Sequence, residues 1–231
     1  MKKKLFIFSL IIIVGLFLTG CGNSTSDSLK FKNEYESLNG EKNDSGQKYR
    51  TLNIPKDNPF VYSTAKEINS MIDKGDTFIV YFGFSKCPWC RSIMEQFIKV
   101  ANDNNVNTIY YVDVLDIRDV KEIKDGEVVT TKEGDKDYMS LIEKIGDVLD
   151  EYTLEEANGN KVSTGEKRIY APNIVVISHK KAIKLETGIA DDLKDPYSDL
   201  TNEMRKDTYD KLKCIMKCFN KEQKTCSKTM C

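Results

Sequence analysis

Histidine is almost missing: His179 is the only one in 231 residues. A zinc site using the cysteines of Cys87-Pro88-Trp89-Cys90 would need two further ligands, from His179 or the cysteines near the C-terminus. There is no second CxxC to supply them, and Pro-Trp between two cysteines is an unusual pair for a zinc knuckle. Surplus charge of one sign is missing too. Thirty-five basic residues face 36 acidic ones, and the lysine-rich stretches are interleaved with Asp and Glu. That excludes the basic face a nucleic-acid binder requires, so no nucleic-acid partner is expected. No internal repeat is visible, and Trp89 is the only tryptophan. What is present suffices for one ordinary globular domain with extensions.

The first residues form a targeting segment. Lys2, Lys3 and Lys4 precede an apolar stretch from Leu5 to Leu18, of the length and charge order of a signal peptide. It ends in Leu18-Thr19-Gly20-Cys21, which resembles the bacterial lipobox. The resemblance implies cleavage after residue 20 and a lipid on Cys21. A diacylglycerol thioether supplies two acyl chains, the number that stable anchoring to a bilayer needs. The expected location is therefore the cell membrane, anchored by lipid on the extracytoplasmic side. Without Cys21, six of the seven cysteines remain, an even number in a compartment that permits disulfides. They divide into Cys87 and Cys90, and a tail group of Cys214, Cys218, Cys226 and Cys231.

Residues 21–56 are rich in Ser, Asn, Gly, Lys and Glu, the composition of a flexible tether. Beyond them the pattern is that of a folded chain. Thr64 to Glu67 is a capping box, and Ile68, Met71 and Ile72 share one helical face up to Gly75. Residues 77–84, TFIVYFGF, read as a buried central strand. A helix opens at the CxxC, with Ile93, Met94, Phe97, Ile98 and Ala101 on its apolar side, and 107–114 read as a second strand. Strand, helix and strand at this spacing imply a right-handed parallel crossover. A hairpin or loop over 123–137, a helix over 138–152, a polar turn-rich stretch, a hairpin formed by APNIVVIS and KAIKLETGI, and a last helix over 199–220 complete the expectation.

The chemistry centres on the CxxC. Pro88 suits the first helical position, which puts Cys87 at the N-cap and Cys90 one turn on. Unpaired N–H groups of the first turn, the helix dipole and the Cys90 thiol all favour a thiolate at Cys87. Lys86 and Arg91 flank the pair and are expected to act in the same direction. Such a pair exchanges disulfides: Cys87 attacks or is attacked, and Cys90 resolves the mixed disulfide. A permanent structural disulfide is the bland alternative.

The order of strand 77–84, CPWC at a helix start, strand 107–114 and then Ala171-Pro172 before a strand hairpin resembles the thioredoxin family. It is similar to extracytoplasmic thiol-disulfide oxidoreductases and bacteriocin-transport accessory proteins of Gram-positive bacteria. The resemblance implies an α/β thioredoxin-like fold over 57–198, a central mixed sheet flanked by helices. It also implies an insertion at about 116–168 before a cis-proline hairpin, with a cysteine-rich helical extension over 199–231. Pro172 would be the cis-proline facing the CxxC, Ala171 a substrate-binding residue, and Trp89 an apolar wall for substrate. No dissociable cofactor or metal is implied, only the redox-active disulfide. The partners would be exported proteins or peptides with thiols or disulfides, and a membrane redox partner that recycles the pair. The sequence departs from the family at Tyr81, where thioredoxins bury an aspartate that helps move the resolving cysteine's proton. Glu95 or a water is the expected substitute. The tail cysteines are expected to form structural disulfides, with nested Cys214–Cys231 and Cys218–Cys226 as one of three pairings, and an auxiliary redox relay or metal binding as alternatives. The rival reading of the whole chain is a non-catalytic surface lipoprotein in which CPWC is a structural disulfide.

Overall fold

The computed structural model describes residues 24–156 and 158–229. The signal segment, Cys21 and Cys231 lie outside the described residues, as does the side chain of Cys226. The chain is an α/β protein with a mixed central sheet flanked by helices. Strands β1 (Phe60–Tyr62), β2 (Phe78–Gly83), β3 (Ile109–Asp113), β8 (Asn173–Ser178) and β9 (Lys181–Glu186) stand in the order β1-β3-β2-β8-β9. The first three are mutually parallel, β8 is antiparallel to β2, and β9 is antiparallel to β8. This arrangement is compatible with a thioredoxin-like fold.

Strand β2 shows why the sheet needs cover on both sides. All six of its residues are buried, and alternate side chains point to opposite faces. Ile79 and Tyr81 enter one core, while Phe78, Val80 and Phe82 enter the other. Helices α2 (Ala65–Lys74) and α4 (Lys136–Ile145) cover the second face through Ile68, Ile72, Leu141 and Ile145. Helix α2 begins as expected: Thr64 and Glu67 form both halves of the capping box, and Gly75 at φ 86° closes it.

The first face is covered by α1 (Ser24–Glu36), α3 (Pro88–Asp103) and α5 (Asn202–Thr229). Here the structure corrects the expected tether. From Ser24 onward the polar N-terminal segment is folded, with Phe31 and Tyr35 fully buried and Tyr49, Leu52 and Ile54 also inside. Ser28, Phe31 and Tyr35 recur at helical spacing, and that single stripe outweighs the polar composition. Phe31 stacks on Phe60 at 4.1 Å between ring centroids and meets Tyr111 edge-on at 5.0 Å. The Ser28 hydroxyl donates to the Asn58 carbonyl (2.6 Å), and the Asn58 amide donates back to the Ser28 carbonyl (2.8 Å). The start of α1 is thereby pinned beside β1.

The segment after α1 is held by Arg91, a fully buried guanidinium on α3. It donates to the carbonyls of Tyr35 (2.8 Å), Ser85 (3.3 Å) and Arg50 (2.5 Å), and to the Asn39 side-chain oxygen (3.1 Å). Asn39 in turn exchanges two bonds with the Leu52 backbone (2.8 and 3.0 Å). These carbonyls replace water around a buried charge.

Between β3 and β8 lie two antiparallel hairpins and α4. The first pairs β4 (Val120–Lys124) with β5 (Glu127–Lys132) around an Asp125-Gly126 turn, both residues at positive φ. The second pairs β6 (Glu151–Glu155) with β7 (Lys161–Lys167), where the sequence suggests a helix to 152 followed by irregular chain. Helix α4 ends at Ile145 because the chain tightens into a 3-10 turn over Gly146–Val148, and Tyr152, Thr153 and Leu154 then pair as strand. A buried Arg168–Asp119 ion pair (2.8 Å) ties the roots of the two hairpins together.

The C-terminal extension is also part of the core, through Leu212, Ile215, Met216 and Phe219. Nested tail disulfides need a chain reversal between Cys218 and Cys226, but α5 runs through to Thr229 as one helix. Eight residues along a helix span about 12 Å, beyond the ~7 Å limit between bridged Cα atoms. Neither Cys214 nor Cys218 is disulfide-bonded.

Replacing Arg91 by Met keeps the apolar stem but strips the carbonyls of their donor. The expected loss is about 3 kcal/mol in urea denaturation, with early proteolytic cleavage between residues 37 and 51. An unchanged midpoint with residues 37–51 still protected would contradict the anchoring role.

Candidate functional site

Cys87 stands at the N-cap of α3 and Pro88 at its first position, as the sequence predicts. The Cys87 sulfur accepts the Cys90 backbone N–H at 3.1 Å. Both cysteines are thiols, Cys87 at 3% exposure and Cys90 fully buried. Their environments push the two pKa values apart. Burial raises the Cys87 thiol, but hydrogen bonds from the Cys90 side chain and from the backbone of Cys90 and Trp89 prevail, so its pKa lies below the ordinary value. Burial pushes Cys90 well up, and the bond to the Cys87 sulfur and its charge push it further. Cys87 is therefore the sulfur that ionises first, and Cys90 the one that keeps its proton longer.

The cation that supports the thiolate is Arg118, a residue the sequence analysis missed. It follows β3 in a loop and lies over the Phe84 ring at 5.1 Å. Lys86 is exposed, and Arg91 is spent on the carbonyls described above. Nothing in the spacing points to Arg118, because the loop after β3 folds back over the site only in three dimensions.

Ala171 and Pro172 are brought to the same place. Their peptide bond is cis, and the Ala171 carbonyl oxygen lies 3.4 Å from the Cys87 sulfur, which donates to it only while protonated. Trp89 is half-buried and packs on the edge of the core with Phe84 and Ala171. Cys87, Trp89, Ala171 and Pro172 thus gather at one end of the sheet. A groove of about 720 Å³ between the hairpins, lined by Lys121, Ile123, Leu154 and Asn158, has no residue of the cysteine turn in its wall.

A scan against protein-family models and a search of curated proteins both find no match to this chain. The reading of the site rests on its geometry.

Tyr81 is fully buried below Cys90, and its hydroxyl stabilises the Cys90 thiolate by hydrogen bonding, a small effect beside burial. Gly83 allows this placement. A Cβ there would lie 2.3 Å from the Tyr81 hydroxyl, so the ring occupies the space a side chain would take. The Tyr81 hydroxyl also meets that of Tyr35 at 3.0 Å. Glu95, an expected substitute for a buried acid, is exposed and pairs with Arg205 at 2.8 Å. Tyr35 comes from the segment whose composition suggests a tether; its only sequence signal is the Phe31–Tyr35 spacing.

Removing Arg118 as Arg118→Ala should move the pH profile of Cys87 alkylation to higher pH, because the charge that favours the thiolate is lost. Lys86→Ala should leave it in place. The rate of iodoacetamide labelling against pH checks both, and equal profiles for Arg118→Ala and the unmodified protein would contradict the assignment.

Proposed function

We propose that this chain is a membrane-anchored thiol-disulfide oxidoreductase of thioredoxin-like fold, acting on exported proteins or peptides through Cys87 and Cys90. The carrying observation is the split between the two sulfurs. A sulfur at a helix N-terminus that accepts a backbone N–H, and whose ionisation is thereby favoured, stands beside a fully buried thiol whose ionisation is opposed. A structural disulfide has no need of that asymmetry, whereas exchange requires it.

In the reducing direction, the Cys87 thiolate attacks a substrate disulfide, one substrate sulfur leaves, and a mixed disulfide forms on Cys87. Cys90 then gives up its proton and attacks Cys87, forming the Cys87–Cys90 disulfide and releasing the second substrate sulfur as thiolate. In the oxidising direction the same steps run backwards, and a membrane redox partner restores the starting state. The carbonyl of Ala171 beside the Cys87 sulfur and the half-buried Trp89 ring offer a backbone acceptor and an apolar wall to a peptide lying across the cysteine turn. Anchoring through a lipid on Cys21 fits the sequence start. Among the described residues no helix is long and apolar enough to cross a membrane.

Two variants test the reading with insulin as the disulfide substrate. Cys87→Ser should abolish reduction, and Cys90→Ser should trap a covalent mixed disulfide on Cys87 that mass spectrometry detects. Activity in Cys87→Ser, or no adduct in Cys90→Ser, overturns the reading in favour of a non-catalytic lipoprotein. On the same full-length preparations, Cys21→Ser should move the protein from the membrane fraction to the soluble one, and unchanged membrane retention would contradict the lipid anchor.

A further inference from the structure

Resolution of a mixed disulfide requires a proton to leave Cys90, and Cys90 has no contact with solvent. A hydroxyl that hydrogen-bonds with its sulfur is that of Tyr81, also without solvent contact. From there a file of hydroxyls leads outward. Tyr81 and Tyr35 share a hydrogen bond of 3.0 Å. Tyr35 interacts in turn with the Tyr111 hydroxyl, and Tyr111 donates to the Glu34 carboxylate at 3.3 Å. Tyr62 donates to the other oxygen of the same carboxylate.

Glu34 is half-buried. Facing it are the hydroxyls of Tyr62 on β1 and Tyr111 on β3, with the Asp113 carboxylate further along β3 and Lys30 of α1 lying over the Tyr62 ring. Tyr62 and Asp113 line a groove of about 400 Å³ in which Glu34 has no part. Glu34 is itself partly exposed, and so stands between the buried hydroxyls and solvent.

We propose that Glu34 is the terminal proton acceptor for Cys90, reached through the hydroxyls of Tyr81, Tyr35 and Tyr111. This rests on the thiol–disulfide exchange reading above and assigns the group that makes its second step possible. A hydroxyl can donate and accept at once, so one proton can enter a tyrosine as another leaves. As Cys90 attacks, its proton passes to the Tyr81 oxygen. The Tyr81 proton passes to Tyr35, that of Tyr35 to Tyr111, and that of Tyr111 to the Glu34 carboxylate. The S–S bond between Cys87 and substrate breaks, the Cys87–Cys90 bond forms, and the substrate sulfur leaves with the electron pair. Each tyrosine ends as it began, neutral. Burial holds all three phenols well above their usual pKa, so none can store the charge, and the shift must be concerted. In the oxidising direction Glu34 returns the proton to Cys90.

The test uses full-length protein with glutathione disulfide as the probe. Acid quenching and mass spectrometry measure two quantities: formation of the Cys87–glutathione adduct, and its disappearance as Cys90 resolves it. In Tyr35→Phe, which keeps the ring, and in Glu34→Gln, adduct formation should stay near the unmodified rate. Resolution should slow by about 10- to 100-fold, on the scale of lost acid–base assistance. It should also become hydroxide-dependent, rising about tenfold per pH unit where the unmodified protein is flatter. A defect of packing alone would not change that slope. If both variants resolve the adduct at the unmodified rate and slope, the relay is wrong while the exchange reading stands. If the unmodified protein forms no adduct, the exchange reading itself fails.

Discussion

The burial of the Cys90 thiol beneath the first turn of α3 is the constraint on which the arrangement depends, because it fixes where a proton sits and which sulfur carries charge. In a buried site a thiolate is tolerated only where donors meet it. The first-turn backbone N–H groups converge on Cys87, whereas the donors that meet Cys90, from Tyr81 and the Phe84 backbone, are outweighed by burial and by the neighbouring sulfur. The pair is asymmetric before any substrate arrives. Arg118, reaching across from the loop after β3, adds to the same bias.

Burial of Cys90 also explains why the N-terminal segment belongs to the fold. The sheet face under α3 presents Tyr81, Tyr111 and Phe60, and only an additional aromatic layer closes it. Helix α1 supplies that layer through Phe31 and Tyr35, and Arg91 fastens the chain that follows. Arg91 immediately follows Cys90 in sequence, so the residue that secures the N-terminal segment and the cysteine that needs it covered share one helical turn. Gly83 contributes by having no side chain, which leaves Tyr81 room to lie under the cysteine turn.

Much of this was legible in the sequence. Strands β2 and β3, helices α2 and α3, the β8–β9 hairpin and the N-cap position of Cys87 follow from local periodicity, capping and proline placement, which act over a few residues. The cis bond at Ala171–Pro172 follows the resemblance. The failures were non-local. Composition favours a tether over 21–56, yet two aromatics on one stripe suffice when a sheet face is waiting for them. Glu151 and Tyr152 read as the end of a helix because the β7 partner of their strand is polar and strand-poor in appearance. The nested pairing suggested for the tail cysteines needs a chain reversal, but α5, held on the sheet through Leu212, Ile215, Met216 and Phe219, runs on as a single helix. Arg118 and Tyr35 reach the site only through tertiary folding, and a chain position says little about either.

The central claim is that Cys87 and Cys90 form an exchanging redox pair, and its most direct test is an equilibrium titration of the full chain against glutathione. Trp89, the only tryptophan, lies between the two cysteines and reports the state by its fluorescence. The account predicts a reversible transition that a glutathione buffer can reach, at a potential above about −300 mV. A Cys87–Cys90 bond that stays closed across the whole glutathione range, or thiols that never oxidise in the native protein, would contradict it.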